Sequence, residues 1–257
     1  MDIKQKVMEQ FGKHAQGYVT STSHSSREDL SILEEWAGAE QPERALDVAT
    51  GGGHAANVLA PLVKQLTALD LTPEILQASE AFLKSKGHTE VQFVLGDAES
   101  LPFADESFEL VTCRIAAHHF PNPDAFVQEV HRVLSPQGCF LLFDNVAPEP
   151  DELDVIYNKI EKDRDPSHFR AWKKTEWIRM AESAGFYTEQ LLQAPKPFQF
   201  ESWCERMSFA GEDKDALERY MLEQTPEVRR ALDVQEEQGK LVSFQGSYCM
   251  MKLRKLW

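Results

Sequence analysis

The chain of 257 residues is short of basic charge, with 27 Lys and Arg against 42 Asp and Glu and a net charge of −15. Binding of nucleic-acid phosphates needs a basic surface, and the doublets Lys173-Lys174 and Arg229-Arg230 are small and sit among acids, so no nucleic-acid partner is expected. No N-P-P-Y motif and no target-recognition segment is present either. No apolar run is long enough to span a bilayer, and the polar start MDIKQKVMEQ has no signal-peptide pattern, so a cytoplasmic protein without integral membrane association is expected. Cysteine is scarce. Cys113, Cys139, Cys204 and Cys249 are far apart and two fall in predicted strands, which reads as buried thiols and neither disulfides nor a zinc site. The histidines form no H-x-x-H pair and no carboxylate cluster accompanies them, so no metal site is expected. Repeats and low-complexity tracts are absent too, and 42% hydrophobic residues are enough for a full core, so one domain over 1–257 is expected.

What is present begins with apolar runs that stop at carboxylates. Arg44 to Ala49 runs into a glycine cluster, the pattern of a buried strand turning tightly into a helix that starts near His54. Gln65 to Leu69 ends at Asp70, and Pro73 opens a helix with Ile75, Leu76, Ala78, Phe82 and Leu83 at helical spacing. Further strands are read at Val91 to Leu95, Phe108 to Cys113 and Cys139 to Phe143, with a helix over Asp124 to Leu134 closed by SPQG. Strands alternating with helices predict an α/β fold, a doubly wound Rossmann-like parallel sheet with its ligand at the carboxyl ends of the strands.

The glycine cluster by itself leaves two ligands open. Gly51, Gly53 and Ala56 satisfy G-x-G-x-x-A, with Asp70 near the distance of a ribose-binding acid in a nicotinamide enzyme. Asp47 weighs against that reading. A carboxylate beside the loop repels a pyrophosphate and favours a ligand carrying an ammonium and a sulfonium.

The run Leu46-Asp47-Val48-Ala49-Thr50-Gly51-Gly52-Gly53 matches [LV]-D-x-G-x-G-x-G with Ala49 for the first glycine. The segment Asp97 to Glu109 nearly completes D-A-x-x-L-P-F-x-D-x-S-F-D, and Arg132 to Gly138 gives R-V-L-x-P-G-G with Gln137 for a glycine. On these motifs the chain resembles the class I S-adenosylmethionine-dependent methyltransferases, the small-molecule group that includes the quinone-biosynthesis C-methyltransferases. The resemblance implies a seven-stranded sheet with an antiparallel last strand and helical cap insertions. It assigns the ribose hydroxyls of S-adenosyl-L-methionine to Asp70, the adenine amino group to Asp97, a ring nitrogen to the Ala98 amide, and the ring faces to Leu71 and Ile75. Thr50, Gly51 and Gly52 bring backbone to the methionine part beside Asp47, and the Arg114 carbonyl meets the ammonium. Ala49 is expected to keep negative φ, its small Cβ clearing the cofactor.

Methyl transfer is an in-line displacement, and a base is needed only if the acceptor is protonated. Ile115 to Phe120 puts His118 and His119 at the rim, and His119 is the candidate base; one histidine capping a turn and the other packing under the cofactor accounts for them as well. Residues 1–43 are expected to include a helical lid, with Phe11, Ala15 and Tyr18 at helical spacing and a hinge over Thr20 to Ser26, although a plain packing helix explains the three residues equally. The cofactor core is placed at 44–145, cap insertions at 146–174 and 201–240, and the rest of the sheet with its helix at 175–200 and 241–257. The aromatics Phe169, Trp172, Phe198, Phe200, Trp203 and Phe209 either roof an apolar acceptor pocket, with Arg206 reaching a carboxylate or phenolate, or form the core of the cap. The expected partner is a small, apolar or aromatic methyl acceptor. A non-catalytic cofactor binder and a nicotinamide oxidoreductase remain as alternatives, and the oligomeric state is open.

Overall fold

The structure, a computed structural model, describes residues 3–20 and 27–257, the side chains of 13–20 and 27–28 excepted. The hinge expected before Arg27 and the Tyr18 side chain therefore lie outside the described residues.

Five strands form the parallel part of the sheet: β1 (Arg44–Val48), β2 (Gln65–Asp70), β3 (Gln92–Leu95), β4 (Phe108–Arg114) and β5 (Leu134–Val146). After them come β6 (Phe186–Gln199), β7 (Gln235–Glu237) and β8 (Lys240–Lys255), in the order β3-β2-β1-β4-β5-β8-β6 with β7 on β8. The last strand is antiparallel, as expected, and inserts between β5 and β6. The sheet has eight strands where seven were expected, because the three-residue β7 pairs with the start of β8. The SPQG segment is not a free turn. It bulges inside the β4–β5 pairing, where Leu134 faces Phe108 and Cys139 already faces Leu110; Gln137 adopts φ 63° there.

The helices are α1 (Ile3–Thr20), α2 (Arg27–Glu40), α3 (His54–Leu59), α4 (Pro73–Ser85), α5 (Pro123–Val133), α6 (Asp151–Arg164) and α7 (Lys174–Ser183), then α8 (Phe200–Glu205), α9 (Glu212–Leu222) and α10 (Pro226–Ala231). One face of the sheet carries α5 and α7, whose Phe126, Val127, Val130, Val133 and Trp177 are buried against β1, β4 and β5. Each such side chain contributes about 1.5–3 kcal/mol on leaving water. The other face carries α2, α3 and α4 through Leu33, Trp36, Ala55, Leu59 and Leu83. Gly53, at φ 81°, joins the glycine loop to α3, and a Cβ there would lie 2.7 Å from the Ser79 hydroxyl on α4. No side chain fits at that approach.

Two further expectations are corrected by this packing. The segment 1–43 does not act as one lid: α2 belongs to the core, with Leu33 and Ala37 fully buried, and α1 alone lies over the strand ends against α4. Phe198, Phe200 and Trp203 face inward into a separate cluster with Tyr157, Ile160, Leu217 and Phe244, so these rings are the core of the cap and not the roof of a pocket. Phe209 is half-buried on that cluster, and Trp172 packs on the central core. Arg206 is exposed just past α8. All four cysteines are free and buried, and among the described residues no helix is long and apolar enough to cross a membrane.

Candidate active site

A cavity opens at the carboxyl ends of β1, β2, β3 and β4 and is closed above by Lys4, Val7 and Phe11 of α1. Its wall includes Asp47, Ala49, Thr50, Gly51, Gly52, Asp70, Leu71, Asp97, Ala98, Arg114 and His119, so residues 72 positions apart in sequence meet in one space. Ile75 is not on that wall. At 1% exposure it is buried in the first turn of α4.

The carboxylates differ in what they can offer. Asp47 is locked: Thr112 donates its hydroxyl to Oδ1 and Thr50 to Oδ2, both at 2.7 Å, and burial pushes its pKa up. Asp70 accepts from the Gly51 amide on Oδ2 and the Thr72 amide on Oδ1, each at 3.0 Å, which aims both oxygens and leaves each one lone pair. Burial raises its pKa to about 6, with Asp47 adding to the shift. Asp97 is more open and already engaged, since Lys4 Nζ lies 2.6 Å from it and 2.5 Å from Glu99.

Ala49 overturns the expectation of negative φ. It sits at 53°, with Gly51 at 55°, so the alanine carries the left-handed backbone for which the motif ordinarily supplies glycine. Across the cavity Ile115 also lies at φ 54°, a strained conformation for a β-branched residue, pinned by its amide donating to the Phe143 carbonyl at 2.7 Å. That strain turns the chain sharply out of β4 and into the single 3-10 turn Ala117–His119.

Both histidines of this turn are buried, and only His119 lines the cavity. Its Nδ1 is 2.9 Å from the Ser167 carbonyl, which can only accept, so Nδ1 carries the proton and Nε2 is the basic nitrogen. Burial first, then the neighbouring His118, lowers its pKa to about 4, and the Phe11 ring meets it edge-on at 5.0 Å. His118 instead pairs with Asp144 at 2.6 Å. Burial works against its protonation, but the charge and hydrogen bond of Asp144 outweigh it and raise the pKa.

The Arg114 side chain has a role the sequence did not show. Its Nε donates to Asp29 Oδ2 of α2 at 2.7 Å, and the Tyr248 hydroxyl donates to the same oxygen at 3.0 Å. Asp29 and Lys4 were missed because polar residues on amphipathic helices read as solvated; partners 85 and 93 positions away leave no local signal.

Comparison with known proteins fits this geometry. Residues 46–142 match the methyltransferase domain model, and the uncharacterized methyltransferase YcgJ of Bacillus subtilis (strain 168) is 34% identical over 91% of this chain and 93% of its own length. The chain belongs to the S-adenosylmethionine-dependent methyltransferases. A methyltransferase crystal structure from Bacillus halodurans C-125 superposes with TM-score 0.87 at 50% identity, covering 88% of this chain and 98% of that one. The ubiquinone/menaquinone biosynthesis C-methyltransferase UbiE of Nitrobacter hamburgensis is 31% identical over 66% of this chain and 67% of its own length. The donor set suits the methyltransferase cofactor: an aimed carboxylate at the β2 end, a backbone-lined glycine loop and the His119 imidazole share one cavity, and Asp47 disfavours a pyrophosphate there.

Proposed function

We propose that this methyltransferase alkylates a small, apolar or aromatic acceptor that gives up a proton, with His119 as the general base. The observation that carries the reading is the convergence of Asp70, Asp97 and His119 on one cavity, with His119 Nδ1 held by the Ser167 carbonyl. The remaining lone pairs of Asp70 suit two ribose hydroxyls, and Leu71 and Ala98 flank the adenine position beside Asp97. Ile75 is dropped from that set. The loop Ala49 to Gly52 gives backbone to the methionine part, and the Arg114 carbonyl, at the β4 end, faces the ammonium, while its side chain ties α2 to the site.

When bound, the cofactor supplies a methyl group on a positively charged sulfur. His119 Nε2 takes the acceptor's proton, which leaves the acceptor atom a free electron pair toward the position the methyl donor would occupy. Phe11, Val7, Phe120 and Pro121 keep the apolar side of the cavity free of competing water. Kinship with UbiE-type enzymes favours quinols among such acceptors.

Two measurements test the reading. S-adenosylmethionine and S-adenosylhomocysteine should raise the melting temperature and NAD should not, and Asp70→Ala should remove the rise. Labelled methyl transfer to a panel of quinols, phenols and amines then reports the acceptor. His119→Ala should keep the thermal shift and lower turnover by about 10²–10⁴-fold; unchanged turnover would dismiss the base.

A further inference from the structure

We propose that His118, clamped by Asp144, is a positioning residue that holds a fixed positive charge against His119 and so keeps the Nε2 of His119 unprotonated for the acceptor. This deepens the function proposed above and rests on it. Asp144 is 2% exposed near the end of β5, where a carboxylate gains most from a cation in contact. It accepts from the His118 amide on Oδ2 at 2.8 Å, from His118 Nδ1 on Oδ1 at 2.6 Å and from the Asn145 amide at 2.7 Å. His118 is thus the group in direct contact that can carry the compensating charge. The nearby Lys196 is spent on the Asn145 side-chain carbonyl at 2.7 Å and not on the carboxylate. The His118 carbonyl accepts from the Phe169 and Arg170 amides at 3.0 Å, which fixes the ring on its backbone side as well.

The imidazoles are close enough for the charge to be felt. His118 and His119 have ring centroids 4.2 Å apart with planes tilted by 42°, and the His168 ring lies 5.5 Å from that of His118. At 4.2 Å in a dry interior two like charges repel strongly, so one of the pair stays neutral. The clamps decide which. Asp144 holds the proton on His118 by direct contact, whereas among the described residues His119 Nδ1 meets the Ser167 carbonyl at 2.9 Å and the Ser167 hydroxyl at 3.4 Å, both neutral, with the Asp165 carboxylate one hydrogen bond further away on that hydroxyl.

Other charged groups face the pair from every side. Glu161 of α6 adds negative potential at His118 and Lys196 of β6 opposes it. Asp165 pulls the proton affinity of His119 upward, though less than burial and His118 depress it. His168 is kept neutral by burial and by both neighbours.

Histidine-labelled NMR titration of the full chain tests the assignment without any turnover. In the wild type His118 should remain an imidazolium through pH 7 while His119 stays neutral to below pH 5. His118→Gln should raise the His119 midpoint by a pH unit or more, a tenfold change in proton affinity, and move the acid limb of kcat/KM up by the same amount. Asp144→Asn should leave His118 neutral at pH 7. A neutral His118 in the wild type at pH 7, or an unmoved His119 midpoint in folded His118→Gln, overturns the proposal. Should His118→Gln fail to fold, the wild-type and Asp144→Asn titrations decide the question. These titrations are separate from the base assignment, whose failure shows as the expected midpoints together with full turnover in His119→Ala.

Discussion

Ala49 carries a cost that the sequence motif ordinarily avoids. A left-handed φ of 53° costs an L-residue roughly 1–2 kcal/mol, whereas glycine adopts it freely and loses about 0.4–1 kcal/mol through the greater freedom of the unfolded chain. The alanine methyl is half-buried against the central core, which returns part of the strain. Ala49→Gly should therefore change unfolding free energy by between zero and about +1 kcal/mol, and Ala49→Val, whose branched Cβ meets the same backbone, should lose about 2 kcal/mol or more. Urea unfolding with an unchanged slope reads both; a valine variant as stable as wild type would show that the turn relaxes freely. Ile115 displays the same trade at the opposite wall, since its strain directs the chain into the turn that presents His119. Neither strain was legible beforehand, because φ at a loop residue depends on what the next element packs against. Asp47, Asp70 and Asp97 were legible as lining one cavity, because each stands at or just beyond the carboxyl end of a parallel strand.

At the scale of elements, buried strands and helices with one apolar stripe announced themselves by period, and β1 to β4 with α3, α4 and α5 stand close to where the pattern put them, while β5 begins five residues early by taking in the SPQG bulge. The N-terminal and cap regions were harder. The helix α2 shares its polarity with α1 yet is part of the core, and the cap aromatics turn inward on one another, so an abundance of rings did not mark a ligand surface. What separates α1 from α2 is that α1 lines the cavity, whereas α2 is tied to the site from behind through Asp29 and Arg114. Lys4 holds Asp97 and Glu99 at the place assigned to the adenine amino group, so the cofactor must displace one end of that bridge. Partly exposed bridges are worth about 0.2–1 kcal/mol, and Lys4→Met should tighten cofactor binding by up to about fivefold in calorimetry. Weaker binding in that variant would mean that Lys4 clamps the bound cofactor and does not compete with it.

At the scale of the whole molecule, the same burial that readies Asp70 for ribose works against folding when the site is empty. Its pKa rises from about 4 in the unfolded chain to about 6 in the native state, so the native state takes up this proton first. The contribution of Asp70 to stability is thus fully present below pH 4 and is lost as pH rises through 6, a swing of at most about 3 kcal/mol. His119 runs the opposite way. Its lowered pKa favours the native state at neutral pH, and that contribution falls away as pH drops from 6.5 toward 4, so the raw stability of the protein mixes the two signs. Comparing wild type with Asp70→Asn cancels every group that does not feel the Asp70 charge. From pH 7 to pH 4 the stability difference should move in favour of wild type by 1–3 kcal/mol, whatever offset the amide introduces at pH 7. Cofactor has the reverse preference, since ribose hydroxyls donate to the ionised carboxylate; its affinity for wild type should fall as pH drops below 6, and Asp70→Asn should bind weakly at every pH. A difference that stays flat with pH in ligand-free protein would show that Asp70 is solvated in the empty site, and the cavity would then be open to water at the end of β2.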